Sequence, residues 1–382
     1  MRLAPYSPPS SFLIVACVAM LLLGGCALAD RRVDSSGRIQ PRPPEPEAPL
    51  PAEAKPIEFA VEPEPAGPTA APTVTPSDAA PRPIGSPLRR DGQEIRACGQ
   101  LFYIGTPVVL FHDPGGFDAY RPHRFFEPEI QEPVHEPERL ARFGSHRRNL
   151  PPEHDARVRR DGWTLPDLRE SVSQVVVHYD MSGTSWNCFK VLHDVRGLSC
   201  HFLLDVDGTL YQTLDLKERA WHAGVANDAS IGIEIAHIGA RRDPAELKRW
   251  YPERDGKAFY QIPRLIRGRL PEEYVGIPAR PGLFDEVIHG ARYYQYDYTE
   301  EQYRALERLL VGLSRIFPKL EPNIPRDGNG ELVWVTLPNQ GADFRGVIGH
   351  HHLTRQKQDP GPAFDWERID RVLSKERNRR GP

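Results

Sequence analysis

Apolar residues form several distinct patterns along the chain. The first is an uninterrupted apolar run of 12 residues over 12–23. From about residue 166 the patterns alternate between strand and helix. Val175, Val176 and Val177 make a short β-branched run of the buried-strand type. Trp186, Phe189, Val191 and Leu192 recur at helical spacing and predict a helix over 186–196, with Gly197 as its stop. Phe202-Leu203-Leu204 and Leu210-Tyr211 flank Asp207-Gly208, which predicts a hairpin. A further strand is expected over 231–235. Thr299 and Gln302 have capping-box spacing. Behind them Tyr303, Leu306, Leu310, Leu313 and Phe317 form a helical stripe of about five turns, closed by Pro318. A last strand over 344–348 and a short helix over 366–373 complete the set. Strands alternating with helices predict an α/β fold.

Upstream, 101–104 and 108–111 flank Gly105-Thr106-Pro107 and read as a hairpin. The rest of 95–165 is rich in Arg, Pro and His. It is expected as irregular chain packed on the main domain. Residues 240–298 read as an insertion without clear period, and no internal repeat is present.

Composition changes the picture at the N-terminal side. Of the 40 prolines in the 382 residues, 15 fall in 41–90, with one Phe and no Trp or Tyr. Such a stretch cannot bury enough apolar surface to offset its ordering entropy, so 26–94 is expected to be a disordered tether. Extended, it could reach on the order of 100 Å. The 49 Lys+Arg against 52 Asp+Glu give a net charge of −3, which argues against nucleic acid as a partner.

The run over 12–23 ends in Leu23-Gly24-Gly25-Cys26, which resembles a bacterial lipobox. That makes 1–25 a signal peptide and Cys26 a lipidation site. The alternative is a plain membrane anchor, because 12–29 holds 18 uncharged residues. Either reading exports the rest. Ala27 after Cys26 is compatible with the outer rather than the inner membrane, so the expected location is the cell envelope, periplasmic side, with the chain lipid-anchored. Cys98, Cys188 and Cys200 stay in the mature chain. A Cys188–Cys200 bridge and two buried free thiols are both open. No CxxC occurs, which argues against a sulfur-based structural zinc site.

Candidate chemistry clusters late in the chain. His350, His351 and His352 follow a predicted strand, with Lys357 and Asp359 behind them. His178 ends another strand. Glu234 lies between Ile233 and Ile235, where a carboxylate is costly without a partner and is a candidate for a tuned acid or base. Two strand-end histidines and an aspartate make a three-ligand set with one position open, the catalytic zinc arrangement. Along a strand His350 and His352 share a face, so His352 is the alternative second ligand. His193 is expected to be exposed in mid-helix, and His201 to pack at a strand start. His237 and His289 are expected to be structural, and Trp186 and Trp366 to be core.

Several segments together carry a resemblance. They are 175–178, Ser199-Cys200-His201-Phe202, Asp207-Gly208-Thr209, Arg219-Ala220-Trp221-His222-Ala223-Gly224, Ser230-Ile231-Gly232-Ile233-Glu234 and Gly349-His350 through Lys357-Gln358-Asp359-Pro360-Gly361. In this order they resemble the zinc-dependent N-acetylmuramoyl-L-alanine amidases, the group with AmpD-like and AmiD-like enzymes, phage T7 lysozyme and the peptidoglycan recognition proteins. The resemblance covers roughly 170–372.

It implies a mixed central β-sheet flanked by helices, with a zinc site in a surface groove. The implied ligands of one zinc per chain are His178, His350 and Asp359. The implied catalytic residues are Glu234 and Lys357. Trp221, His222, Ala223 and Asn227 are the implied substrate-binding segment. From His350 to Asp359 is nine residues, one fewer than the family pattern leads us to expect. The implied reaction is hydrolysis of the amide between N-acetylmuramic acid and L-Ala, on peptidoglycan or muropeptides, by a monomer. The rival is a peptidoglycan-binding module that does not cut, and the complete residue set favours the enzyme. The catalytic domain is expected over 166–376, followed by a basic, solvated tail over 377–382.

Overall fold

Strand parity decides where this molecule puts its core and where it puts its polar chemistry. The computed structural model describes residues 90–127 and 142–380, which fall in the compact unit Arg90–Pro382. The signal peptide, Cys26 and nearly all of the tether lie outside the described residues.

In chain order the strands are β1 (Glu94–Ala97), β2 (Gln100–Tyr103), β3 (Val108–Leu110), β4 (Phe143–Gly144), β5 (Gln174–Tyr179), β6 (Phe202–Leu204), β7 (Leu210–Gln212), β8 (Arg219–Ala220) and β9 (Ser230–Ile235). Then come β10 (Glu253–Arg254), β11 (Lys257–Ala258), β12 (Leu283–Ile288), β13 (Ala291–Tyr296) and β14 (Gly346–Gly349). The helices are α1 (Pro152–Asp161), α2 (Leu165–Ser171), α3 (Ser185–Phe189), α4 (Ala245–Lys248), α5 (Glu300–Ile316) and α6 (Trp366–Arg380). The main sheet has six strands in the order β14-β5-β9-β6-β7-β3. Only β6 and β7 pair antiparallel, so the sheet is mixed as expected.

Side chains alternate across a strand. Val175, Val177 and Tyr179 of β5, Ile231, Ile233 and Ile235 of β9, and Phe202 and Leu204 of β6 face one way. They pack with Tyr303, Leu306, Leu309, Leu310 and Leu313 of α5 and Ile369 and Leu373 of α6. The other parity carries His178 and Glu234, paired in register across β5 and β9. Helix α5 starts with the expected capping box of Thr299 and Gln302 and ends before Pro318. Truncating one of its buried leucines to Ala costs about 2–5 kcal/mol.

Several expectations are corrected. The hairpin across Gly105-Thr106-Pro107 does not form. Instead β2 folds back on β1 around Cys98 (φ 47) and Gly99 (φ 75), and β3 joins the main sheet parallel to β7. Two left-handed residues in a two-residue loop make the turn whose twist suits a hairpin, and the Asp215 carboxylate accepts both of their amides. The helix expected over 186–196 changes from α to π winding over Lys190–Val195. That extra residue per turn brings His193 inside. It is fully buried rather than exposed, with Nδ1 2.6 Å from Asp194 and Nε2 3.1 Å from the Arg121 carbonyl. Trp366 is core, whereas Trp186 is only half-buried. The insertion is not patternless: β12 and β13 form a hairpin closed by His289 (φ 53) and Gly290 (φ 82). The last helix runs on to Arg380, with Arg377 to Arg380 exposed and Arg377 donating to the Pro322 carbonyl. Cys188 and Cys200 are buried free thiols. Among the described residues no helix is long and apolar enough to cross a membrane.

Candidate active site

The end of β5, the turn after β14 and the turn over 357–361 meet at one point. His178 Nδ1 lies 2.9 Å from Asp359 Oδ2 and 3.0 Å from His350 Nδ1, and His350 Nδ1 lies 3.0 Å from the same Asp359 oxygen. All three side chains are buried. Two ring nitrogens and a carboxylate oxygen that converge this closely repel unless a cation or a proton lies among them. Two imidazoles and one carboxylate are a zinc-type donor set with a fourth position open, so the residues present fit that metal. Among the described residues it is the one grouping of this kind. Burial, with the neighbouring His350, pulls the His178 imidazole down to about 4, which keeps it neutral and able to ligate. For Asp359 burial alone would push the carboxyl up, but His350 and His178 outweigh it and hold it well below the usual range.

The histidine run divides its labour. His350 enters the cluster. The His351 amide donates to the Asp359 carbonyl, and its Nδ1 lies 3.0 Å from that oxygen. His352 Nδ1 accepts the Gly349 amide, and its Nε2 faces the Val333 carbonyl at 2.8 Å. The chain coils into a short helical turn here, so strand alternation does not apply and His352 stays out of the cluster.

Glu234 shares the His178 face, and its Oε2 is buried with no hydrogen-bond partner. Burial, then the charges of Asp359 and Asp180, push its carboxyl well above the usual range, while Lys357 opposes them. The half-buried Lys357 is thus close enough for its charge to reach both Glu234 and His178.

The segment after β8 forms the adjoining wall. Asn227 is buried, and its Oδ1 accepts the amides of His222 (3.2 Å) and Ala223 (2.7 Å), so it braces the turn. Ala223 is buried and Trp221 half-buried, while Val225 is exposed at the rim. His222 turns inward, with Nδ1 3.0 Å from His178 Nε2.

Three further residues shape the site without a sequence signal that marked them. Tyr298 Oη (2.6 Å) and Gln295 Nε2 (3.1 Å) both donate to the Pro360 carbonyl, next to Asp359. They come from the insertion, whose sequence shows no clear period. Arg147 is fully buried and donates to the carbonyls of Asp228, Ser230 and Leu216. It sits in an Arg-, Pro- and His-rich stretch that reads only as irregular chain packed on the main domain.

Solved structures similar to the chain include the following three. An AmpD derivative is 22% identical, covering 55% of this chain and 87% of its own, with a TM-score of 0.28. AmiD from E. coli, in complex with anhydro-N-acetylmuramic acid-L-Ala-D-γ-Glu-L-Lys, is 18% identical over 53% of this chain and 57% of its own, at 0.32. AmpDH3 from Pseudomonas aeruginosa, with an anhydromuramic pentapeptide, is 20% identical over 55% and 66%, at 0.31. No curated protein matches the chain. The family described as N-acetylmuramoyl-L-alanine amidase matches residues 168–362, just over half of the 382. That span contains His178, Glu234, His350, Lys357 and Asp359, and the chain belongs to the N-acetylmuramoyl-L-alanine amidase family, enzymes that act on peptidoglycan.

Proposed function

We propose that the protein is a zinc-dependent amidase that cleaves between the lactyl group of N-acetylmuramic acid and the L-Ala of the stem peptide. The observation that carries this reading is the convergence of His178 Nδ1, His350 Nδ1 and Asp359 Oδ2 within hydrogen-bonding distance of one another. Zinc held there supplies a Lewis acid that lowers the pKa of a water toward about 7.

The chain's own groups do the rest. Glu234 has an unpartnered, buried carboxylate oxygen and is free to take a proton. It accepts the proton of the attacking water and passes it to the leaving L-Ala nitrogen. Lys357 stabilises the negative charge that develops on the substrate carbonyl oxygen, and one good donor of this kind contributes about 3–4 kcal/mol. The wall from Trp221 to Asn227 borders the groove in which the peptide lies. Lipid on Cys26 and the Pro-rich tether hold this domain at a membrane of the cell envelope, facing the periplasm, and let a monomer reach the wall.

The test is digestion of purified muropeptides by the full chain, with and without a chelator, with products identified by mass. The expected products are free stem peptide and peptide-free sugar, lost on chelation and restored by zinc. Binding of muropeptide without release of stem peptide, in the presence of zinc, overturns the reading.

A further inference from the structure

We propose that His222 is a positioning residue. It holds the first ligand, His178, in the tautomer and orientation that binding a metal requires, as the middle member of a relay His178–His222–Ser230. The inference rests on the zinc reading above and adds to it.

Proton placement fixes the arrangement. His178 Nδ1 points into the cluster with His350 and Asp359, so its lone pair must face inward for it to ligate. A neutral imidazole carries one N–H, which must then sit on Nε2. The His178 ring is 2% exposed and cannot leave that N–H to water. What it meets is His222 Nδ1 at 3.0 Å, with the two rings nearly perpendicular. His222 Nδ1 therefore accepts, and the proton of His222 is on Nε2. That nitrogen lies 3.2 Å from Ser230 Oγ, a hydroxyl able to accept it. One assignment of protons satisfies all three groups, and the reverse assignment puts a proton into the donor cluster.

Local structure holds His222 in this place. The Asn227 carboxamide oxygen grips the amides of His222 and Ala223 and fixes the turn. Gly232 on β9 clears the space, since a Cβ there would lie 2.6 Å from His222 Nδ1 and 2.8 Å from Cys200 Sγ. Both ring nitrogens of His222 are thus taken by the protein, and neither is free for a substrate. This moves His222 from the groove wall to the support of the ligand set. Partners of ligating histidines are worth about 10–100-fold in metal affinity.

The experiment measures zinc alone, by competition with a chromophoric chelator, on the full chain. His222→Leu is expected to weaken zinc binding by about 10–100-fold. His222→Asn, whose amide oxygen takes roughly the place of Nδ1, should stay within a few-fold of the unmutated protein. Equal zinc affinity in His222→Leu, or equal loss in both variants, overturns the proposal. A readout without mutation keeps it refutable should the leucine variant not fold. Long-range ¹H–¹⁵N spectra of the zinc-loaded protein should show both His178 and His222 protonated on Nε2, and a proton on Nδ1 of either overturns it. An unmutated protein that takes up no zinc defeats the zinc reading itself, which is a different result.

Discussion

His351 grips Asp359 twice through one atom: its amide nitrogen is 3.1 Å and its Nδ1 3.0 Å from the Asp359 carbonyl oxygen. The side chain of Asp359 can then point at His178 and His350 because its main chain is already fixed. The turn that carries Asp359 is thus fixed by hydrogen bonds to His351.

The three histidines should therefore fail differently. His350→Ala should lose both zinc and activity. His351→Ala should bind zinc about tenfold more weakly and cost about 1–3 kcal/mol, because it strips a buried carbonyl of a donor. His352→Ala should cost stability and keep zinc affinity. Chelator competition and urea unfolding separate these outcomes. A His351→Ala protein with unaltered zinc affinity and stability would mean that His351 does not hold Asp359 in place.

The turn after Asp359 has a second clamp. Gly361 has φ +89, and a Cβ there would lie 2.2 Å from Gln295 Oε1. Gly361→Ala must both strain the backbone and push Gln295 off the Pro360 carbonyl and the Ala363 amide. A loss of at least about 2 kcal/mol is expected in metal-free thermal unfolding. Tyr298→Phe removes the hydroxyl that donates to Pro360 and should cost about 1 kcal/mol. Unchanged stability in Gly361→Ala would mean that this turn relaxes freely.

These clamps also show where sequence reasoning stops. Strands β5 and β9, the β6–β7 hairpin and helix α5 were legible because their signals are local: β-branched runs, Asp-Gly, a capping box and a helical stripe. That His178 and Glu234 stand side by side was not legible, because it depends on the register of β5 against β9. Gln295, Tyr298 and Arg147 were not legible, because each is polar and gains its meaning only from a carbonyl far away in sequence. His222 was visible as a residue but not in its role, since its partner His178 is 44 positions distant. The β1–β2 turn depends on positive φ at Cys98, which no residue preference announces.

Two buried histidines outside the His178–His350–Asp359 group should leave a mark on the pH dependence of stability. Burial pulls His201 and His237 down to about 3. Their Nδ1 atoms accept the amides of Gly232 and Gly239, so both are neutral in the fold. In the unfolded chain each titrates near 6.5, so below that pH the unfolded state binds more protons and stability falls as pH falls. From pH 6.5 to 5 each histidine takes away about 2 kcal/mol. Asp205, pushed up to about 8 by burial, works in the opposite sense over the same window. The measurement is therefore a difference. Urea unfolding at pH 6.5 and 5 should show a loss for the unmutated protein that exceeds that of His237→Gln by about 2 kcal/mol. Equal losses would mean that His237 is protonated in the fold.

Glu234 separates an enzyme from a binder. It sits one strand from His178, in register, with a buried oxygen that no protein group occupies. Replacing it by Gln keeps the shape and a hydrogen-bonding group but removes the ability to accept a proton. General-base catalysis contributes about 10²–10⁴ in rate, so kcat on a muramoyl peptide should fall by that factor. Glu234 is outside the His178–His350–Asp359 set, so zinc content should be kept, and binding of the uncleaved muropeptide should change little. The Glu234 carboxylate is also held above its usual range by burial and by Asp359. Removing that charge should therefore leave the metal-free fold as stable as before or more so at neutral pH. Product release by chromatography, muropeptide binding by calorimetry and zinc by metal analysis should be read on one preparation. A Glu234→Gln protein as fast as the unmutated one places the base elsewhere. A variant that loses zinc together with rate makes Glu234 part of the ligand set instead.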